Sequence, residues 1–89
     1  MKLLDKIMRL FGYENIENIY IYDDFKKRPP KKDKMDFRRY YYDARKEFWV
    51  PIVIKKMRFV KHRYWLEDGY TSYLIAKENN IKYVKVMRV

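Results

Sequence analysis

The chain has 89 residues, 48% of them hydrophobic, and a formal net charge of +10. That describes one domain, apolar enough to fold around a modest core. It holds no Cys and a single His, His62, which excludes a disulfide scaffold, a thiolate metal site, a Cys nucleophile and a histidine-based metal cluster.

Leu3, Leu4, Ile7, Met8 and Phe11 recur at helical spacing, with Lys2, Asp5, Lys6 and Arg9 opposite. The pattern predicts an amphipathic helix over 2–11, stopped by Gly12. We take 1–12 as this helix and 13–89 as a single domain. The helix is expected to pack on the core or on a second copy of the chain, so a homodimer is one expectation. Its polar face is only weakly cationic, unlike that of a membrane-surface helix. Asp5, Lys6 and Arg9 also make this start a poor signal peptide. No apolar run approaches the roughly 18 residues of a membrane span. The expected compartment is the cytoplasm.

Ile19, Tyr20, Ile21 and Tyr22 place a first strand near 18–22. Pro29 and Pro30 then forbid regular helix, so Lys26–Lys32 is expected as a basic arm. Asp33 is placed to cap a helix over 34–47, with Phe37, Tyr41, Ala44 and Phe48 as its buried stripe. Pro51-Ile52-Val53-Ile54 suits a buried strand with proline at its start. Tyr64-Trp65-Leu66 re-enters the sheet, which predicts a hairpin, although no Gly, Asn or Asp marks its turn. A helix follows over 70–78, ended by Asn79-Asn80, since Asn tolerates the left-handed conformation. Ile81–Val89 is the last strand. The class is α+β: a small mixed β-sheet with two or three helices.

The charge is uneven. Residues 26–63 hold 15 Lys/Arg against four acids, whereas the rest of the chain holds seven against eight. A field this one-sided attracts polyanions, and aromatic residues that can stack on bases lie among the cations. The candidate nucleic-acid contacts are Lys26, Lys27, Arg28, Lys31, Lys32, Arg38 and Arg39, extended by Lys55, Lys56, Arg58, Lys61 and Arg63. Phosphate contacts of this kind carry little sequence information. A solvated basic surface is the alternative.

Leu66 to Lys77 reads as strand, glycine turn and helix. Gly69 stands where the chain must turn into the helix, and glycine enters positive φ without a Cβ penalty. Tyr70, Thr71 and Ser72 follow in the first helical turn, where free N–H groups and the helix dipole favour anions. Gly69, Tyr70, Thr71 and Ser72 are therefore the candidate phosphate or nucleotide cradle, and a plain capped turn is the alternative.

Pro-Ile-Val-Ile (51–54), Leu-Glu-Asp-Gly-Tyr-x-x-Tyr-x-x-Ala-Lys (66–77) and Ile-x-x-Val-x-Val (81–86) together resemble the ParB N-terminal domain and sulfiredoxin. Arg28-Pro29, Lys34 and Tyr40-Tyr41-Tyr42 resemble the small stand-alone members of that family. The resemblance covers about 16–89. It implies a ParB/sulfiredoxin-like fold that binds nucleotides or phosphates at the turn before the motif helix. In ParB proteins that turn reads Gly-Glu-Arg-Arg and binds CTP. Here Gly69 is kept, but Tyr70, Thr71 and Ser72 replace the rest, removing two bidentate phosphate clamps. Sulfiredoxin chemistry needs a Cys, and this chain has none.

Three functions fit these residues. The first is a small basic module that binds nucleic acid or another polyanion. The second is a phage- or plasmid-encoded effector, from a mobile element, whose basic face occupies an acidic protein partner that handles nucleic acid. The third is a nucleotide-dependent phosphotransferase or nuclease, in which Glu67 and Asp68 hold Mg²⁺ or act as a base. Asp23 and Asp24, expected to end the first strand, would join them.

Overall fold

The computed structural model describes residues 3–89, so Lys2 of the expected first helix lies outside the described residues. The elements in order are α1 (Leu3–Leu10), β1 (Tyr13–Asn15), a 3₁₀ turn (Ile16–Asn18), β2 (Ile19–Tyr20), α2 (Asp23–Lys27), α3 (Lys32–Arg45), β3 (Ile52–Lys56), β4 (Tyr64–Asp68), α4 (Tyr70–Glu78) and β5 (Tyr83–Arg88). The class is α+β, with one more helix than the two or three expected. The extra one is α2. Tyr22, Asp23 and Asp24 do not extend the first strand: Tyr22 is the N-cap of α2, and the two acids occupy its first turn, where the helix dipole favours them.

The five strands form one mixed sheet in the order β1-β5-β3-β4-β2. β3 and β4 are the expected hairpin, paired antiparallel from Lys56↔Tyr64 to Val53↔Asp68. β5 lies parallel to β3 and antiparallel to β1, and β2 lies parallel to β4. This direction of travel gives the sheet two distinct ends. Pro51, Asp68, Gly69 and Tyr22 gather at one. The connection 57–63 lies at the other, about 16 Å away for five-residue strands.

The core is Ile16, Ile19, Ile52, Ile54, Tyr64, Leu66, Ala76 and Val84. Alternation along β3 and β4 turns Ile52, Ile54, Tyr64 and Leu66 inward. α4 buries Thr71, Ser72, Ile75 and Ala76, and Asn80 ends it in the left-handed region at φ 55°.

Two sequence expectations fail on helix faces. In α3 only Met35 is buried, while Phe37 and Ala44 are exposed. Phe37 and Tyr41 instead pack edge-on against Trp49, with centroids at 5.2 and 4.9 Å. The face turned toward α4 carries Arg38 and Arg39. Asp33 is not the cap: Lys31 holds that position without a side-chain bond, because the helix begins two residues earlier, at Lys32.

α1 is turned the opposite way from a core-packed amphipathic helix. Leu3, Leu4, Ile7, Leu10 and Phe11 are exposed, and Asp5 is buried. The polar side reaches inward because its partners are there. Tyr83 donates its hydroxyl to Asp5 Oδ1 at 2.5 Å, and Asn15 Nδ2 donates at 3.3 Å. Arg9 clamps Glu14 with two bonds, of 2.7 and 3.0 Å. The Glu14 carboxylate is fully buried and also accepts from Asn15 N–H, Asn18 Nδ2 and Arg88 Nη2.

Burial alone would raise the Glu14 pKa, but its hydrogen bonds to Arg9 and Asn18 and the Arg9 charge hold it below the usual carboxylate value. The Tyr83 hydroxyl likewise holds Asp5 down and is itself pushed up to about 12. A carboxylate depressed in the folded state contributes its stability above the unfolded pKa and loses it as the pH falls through the folded value. Glu14→Gln should cost about 3 kcal/mol at neutral pH, since it removes the buried charge on which Arg9, Asn18 and Arg88 converge. In urea melts as a function of pH, its stability should fall less steeply than the wild type's below about pH 4.5. Equal stability at pH 7 would show that the ion pair holds nothing together.

Candidate functional site

Gly69 has φ 87° and is the N-cap of α4. Its Cα also packs on backbone: a Cβ there would overlap the Pro51 carbonyl oxygen and come within 2.9 Å of Ile52 Cα. Glycine is thus required twice, by conformation and by close approach. A bulge precedes it. Between Ile54↔Leu66 and Val53↔Asp68 the ladder advances one residue on β3 and two on β4, leaving Glu67 as the extra residue. The strand is thereby re-aimed as it enters the turn. Ser72 Oγ donates to the Val50 carbonyl at 2.6 Å and ties the first turn of α4 to the entrance of β3.

A cleft of about 590 Å³ opens at this end of the sheet. Gly69, Tyr70 and Thr71 form its floor. Arg28 and Pro30 come from the α2–α3 connection, Lys34 and Arg38 from α3, and Tyr22, Asp24 and Phe25 from the start of α2. Lys34 and Arg38 are four residues apart and share one helical face. Arg38 Nη1 donates to Thr71 Oγ1 at 2.8 Å, so its guanidinium is held beside the helix N-terminus. One wall is aromatic. Trp65 stacks on Tyr22 at 4.6 Å and 11°, and Tyr22 lies 6.4 Å from Phe25, which lies 5.3 Å from Tyr70.

The expected site residues divide. Gly69, Tyr70 and Thr71 line the cleft, but Ser72 is buried and its hydroxyl is committed to Val50. Asp68 lines the cleft, with its Oδ1 accepting from Gly69 N–H at 2.8 Å. Glu67 does not line it. Burial, and next the nearby Glu67 carboxylate, raises the pKa of the Tyr22 hydroxyl. Of the expected basic contacts, Arg28 and Arg38 enter the cleft, Lys26 and Lys27 end α2, Lys31 caps α3 and Lys32 begins it. Arg39 is spent on Glu78, at 2.7 Å, and Asp36, at 3.1 Å. Lys55, Lys56, Arg58, Lys61 and Arg63 lie at the opposite end. Lys34, Tyr22 and Phe25 are cleft residues that sequence reasoning did not assign. The Lys34/Arg38 spacing was the signal available for Lys34.

Mg²⁺ is commonly held by one or two carboxylates together with the phosphates of a nucleotide. Asp24 and Asp68 both line the cleft. Among the described residues, no group of three or more His, Asp or Glu side chains could hold a metal ion.

No family model matches the chain, and no curated protein matches it. Solved structures do match. The chromosome-partitioning protein ParB of Caulobacter crescentus, complexed with CTP-gamma-S, superposes with a TM-score of 0.66 at 17% identity. The match covers 86% of this chain and 42% of that one. A free serine kinase in complex with AMP gives 0.68 at 10% identity, over 86% of this chain and 30% of the kinase. Sulfiredoxin from Arabidopsis thaliana gives 0.65 at 15% identity, over 84% and 79%. The chain therefore has a ParB/sulfiredoxin-like fold. It spans less than half the length of the ParB and kinase chains that it matches.

The two glycines give a paired test of the turn. Gly12, at φ 86°, has nothing within 4 Å of an added Cβ, so Gly12→Ala should cost only the conformational penalty of about 1–2 kcal/mol. Gly69→Ala adds overpacking of about 1–3 kcal/mol and should lower the thermal midpoint distinctly more. Equal losses in the two melts would mean that the Pro51 contact gives way freely.

Proposed function

We propose that this domain binds nucleic acid through its phosphates, with one phosphate seated at the first turn of α4. The observation that supports this reading is the convergence of Arg28, Lys34 and Arg38 on the Gly69 turn in one cleft. Arginine and lysine supply charge there, the helix N-terminus supplies N–H donors, and the Tyr22–Phe25–Tyr70 wall offers faces for a base. The cations of α2 and α3 beside the cleft continue the path for a strand. Two arginines that the resemblance would place just after Gly69 are absent, and Lys34 and Arg38 reach the same turn from a different helix. Binding of this kind is strong in charge and weak in sequence preference. The exposed apolar face of α1 suits a homodimer, which would present two clefts to one strand.

A second reading, a free nucleotide as ligand, is favoured by Asp24 and Asp68 in the lining of the cleft. With Mg²⁺ bound beside the phosphates, those carboxylates would orient a nucleotide for phosphotransfer or phosphodiester cleavage.

Fluorescence anisotropy with labelled single- and double-stranded DNA, at two salt concentrations and with ATP and CTP as competitors, tests both. Nucleic-acid binding should weaken steeply as salt rises. Arg38→Ala should weaken it about tenfold or more and reduce the salt slope by about 1. Binding that ignores salt would sink the nucleic-acid reading. Displacement by nucleotide, together with turnover in Mg²⁺, would favour the second. Silence toward every nucleotide and strand would point to an acidic protein partner, recovered in a pull-down that survives nuclease treatment.

A further inference from the structure

The hairpin connection 57–63 breaks two local rules at once. It turns without glycine, placing Phe59 at φ 66° and His62 at φ 57°, a region that bulky side chains enter only with strain. It also leaves the Phe59 ring 99% exposed. A residue that contributes neither turn chemistry nor packing marks a place where the fold is not the only constraint. The loop is nevertheless firmly rooted. Met57 N–H bonds the Arg63 carbonyl at 2.9 Å, and Arg63 Nη1 bonds Asn18 Oδ1 at 3.1 Å and the His62 carbonyl at 3.0 Å. The tip is thus presented from a fixed base.

The charge around the ring is uncompensated. Among the described residues no carboxylate pairs with Lys55, Lys56, Arg58 or Lys61. Arg58 Cζ lies 5.9 Å from the Phe59 ring centroid. Lys55 and Lys56 are successive strand residues and point to opposite faces of the hairpin. Cations therefore stand on both faces of the hairpin that carries the exposed ring. A lipid surface takes up a broader apolar face than one ring and a half-exposed Val60. A base between two phosphates matches one ring between cations.

We propose that this hairpin tip is a second nucleic-acid contact, in which Phe59 stacks on an unpaired base of a single strand while Lys55, Lys56, Arg58 and Lys61 hold the flanking phosphates. The assignment rests on the nucleic-acid reading above and adds a site at the far end of the sheet from the Gly69 cleft.

The test uses the full chain and F59G. Glycine suits φ 66° and removes the ring, so the thermal midpoint should not fall. Anisotropy is read with a labelled single-stranded oligonucleotide, and stacking with the same strand carrying 2-aminopurine. F59G should bind about 5- to 100-fold more weakly and lose the quenching, and F59W should restore both. F59G binding like the wild type, while Arg38→Ala binds weakly, would overturn the hairpin site and leave the cleft reading standing. A wild-type chain that binds no strand would overturn both. F59G that loses binding to phosphatidylserine vesicles but keeps the oligonucleotide would overturn the assignment in favour of a membrane.

Discussion

The close approach of Gly69 to the Pro51–Ile52 backbone is the constraint on which the cleft depends. The turn from β4 into α4 has no room for a side chain. The first turn of α4 can therefore sit directly against the entrance of β3, and Ser72 fastens it to the Val50 carbonyl. With α4 so placed, Thr71 reaches α3 and orients Arg38. The bulge at Glu67 adjusts the strand for that turn. Movement of the α4 N-terminus away from β3 would separate the helix dipole from the cations that face it. The placement of the α4 N-terminus beside Arg38 is thus set by a packing contact between two backbones.

A second constraint acts at the opposite edge of the sheet. Glu14 is buried in β1 and accepts hydrogen bonds from α1, the 3₁₀ turn and β5. A buried carboxylate without these partners would be costly. The consequence is visible in α1. Its Asp5 and Arg9 face the sheet, and its apolar residues are left outside. Hydrophobic periodicity identified the helix and its stop at Gly12, but the buried face was decided by ion pairing with residues that periodicity does not weigh.

Legibility followed the locality of the cause. Gly69 and Asn80 were readable because a left-handed backbone restricts residue type at the position itself. β3, β4 and α4 were readable because burial imposes a period along each of them. β1 was missed: Tyr13-Glu14-Asn15 has no apolar alternation, and its pairing with β5 is specified by partners about 70 residues away. The α3 stripe was misplaced because Phe37 and Tyr41 pack on Trp49, outside the main core. The hairpin turn was illegible because Phe59 and His62 occupy the conformation that glycine or asparagine would announce. The cleft was half legible: its floor is one contiguous motif, but its walls arrive from α2 and α3.

The basic residues form a single block in sequence, and apart from Arg45 and Lys46 at the end of α3 they fall into two groups in space. At the cleft end several are engaged: Arg38 by Thr71, Arg39 by Glu78 and Asp36, and Lys32 by Asp36 at 3.3 Å. Such contacts orient a guanidinium and reduce the rotamer freedom that binding would otherwise have to freeze. At the hairpin end Lys55, Lys56, Arg58 and Lys61 have no carboxylate partner among the described residues, and these cations repel one another. Uncompensated charge of one sign works against the compact state and raises the capture rate of a polyanion. Ordered cations beside a helix N-terminus suit a defined phosphate. Free ones around an exposed ring suit a strand that arrives in any register. The separation of the two ends by one strand length would let both engage a single extended ligand, as proposed, without competing for the same phosphate.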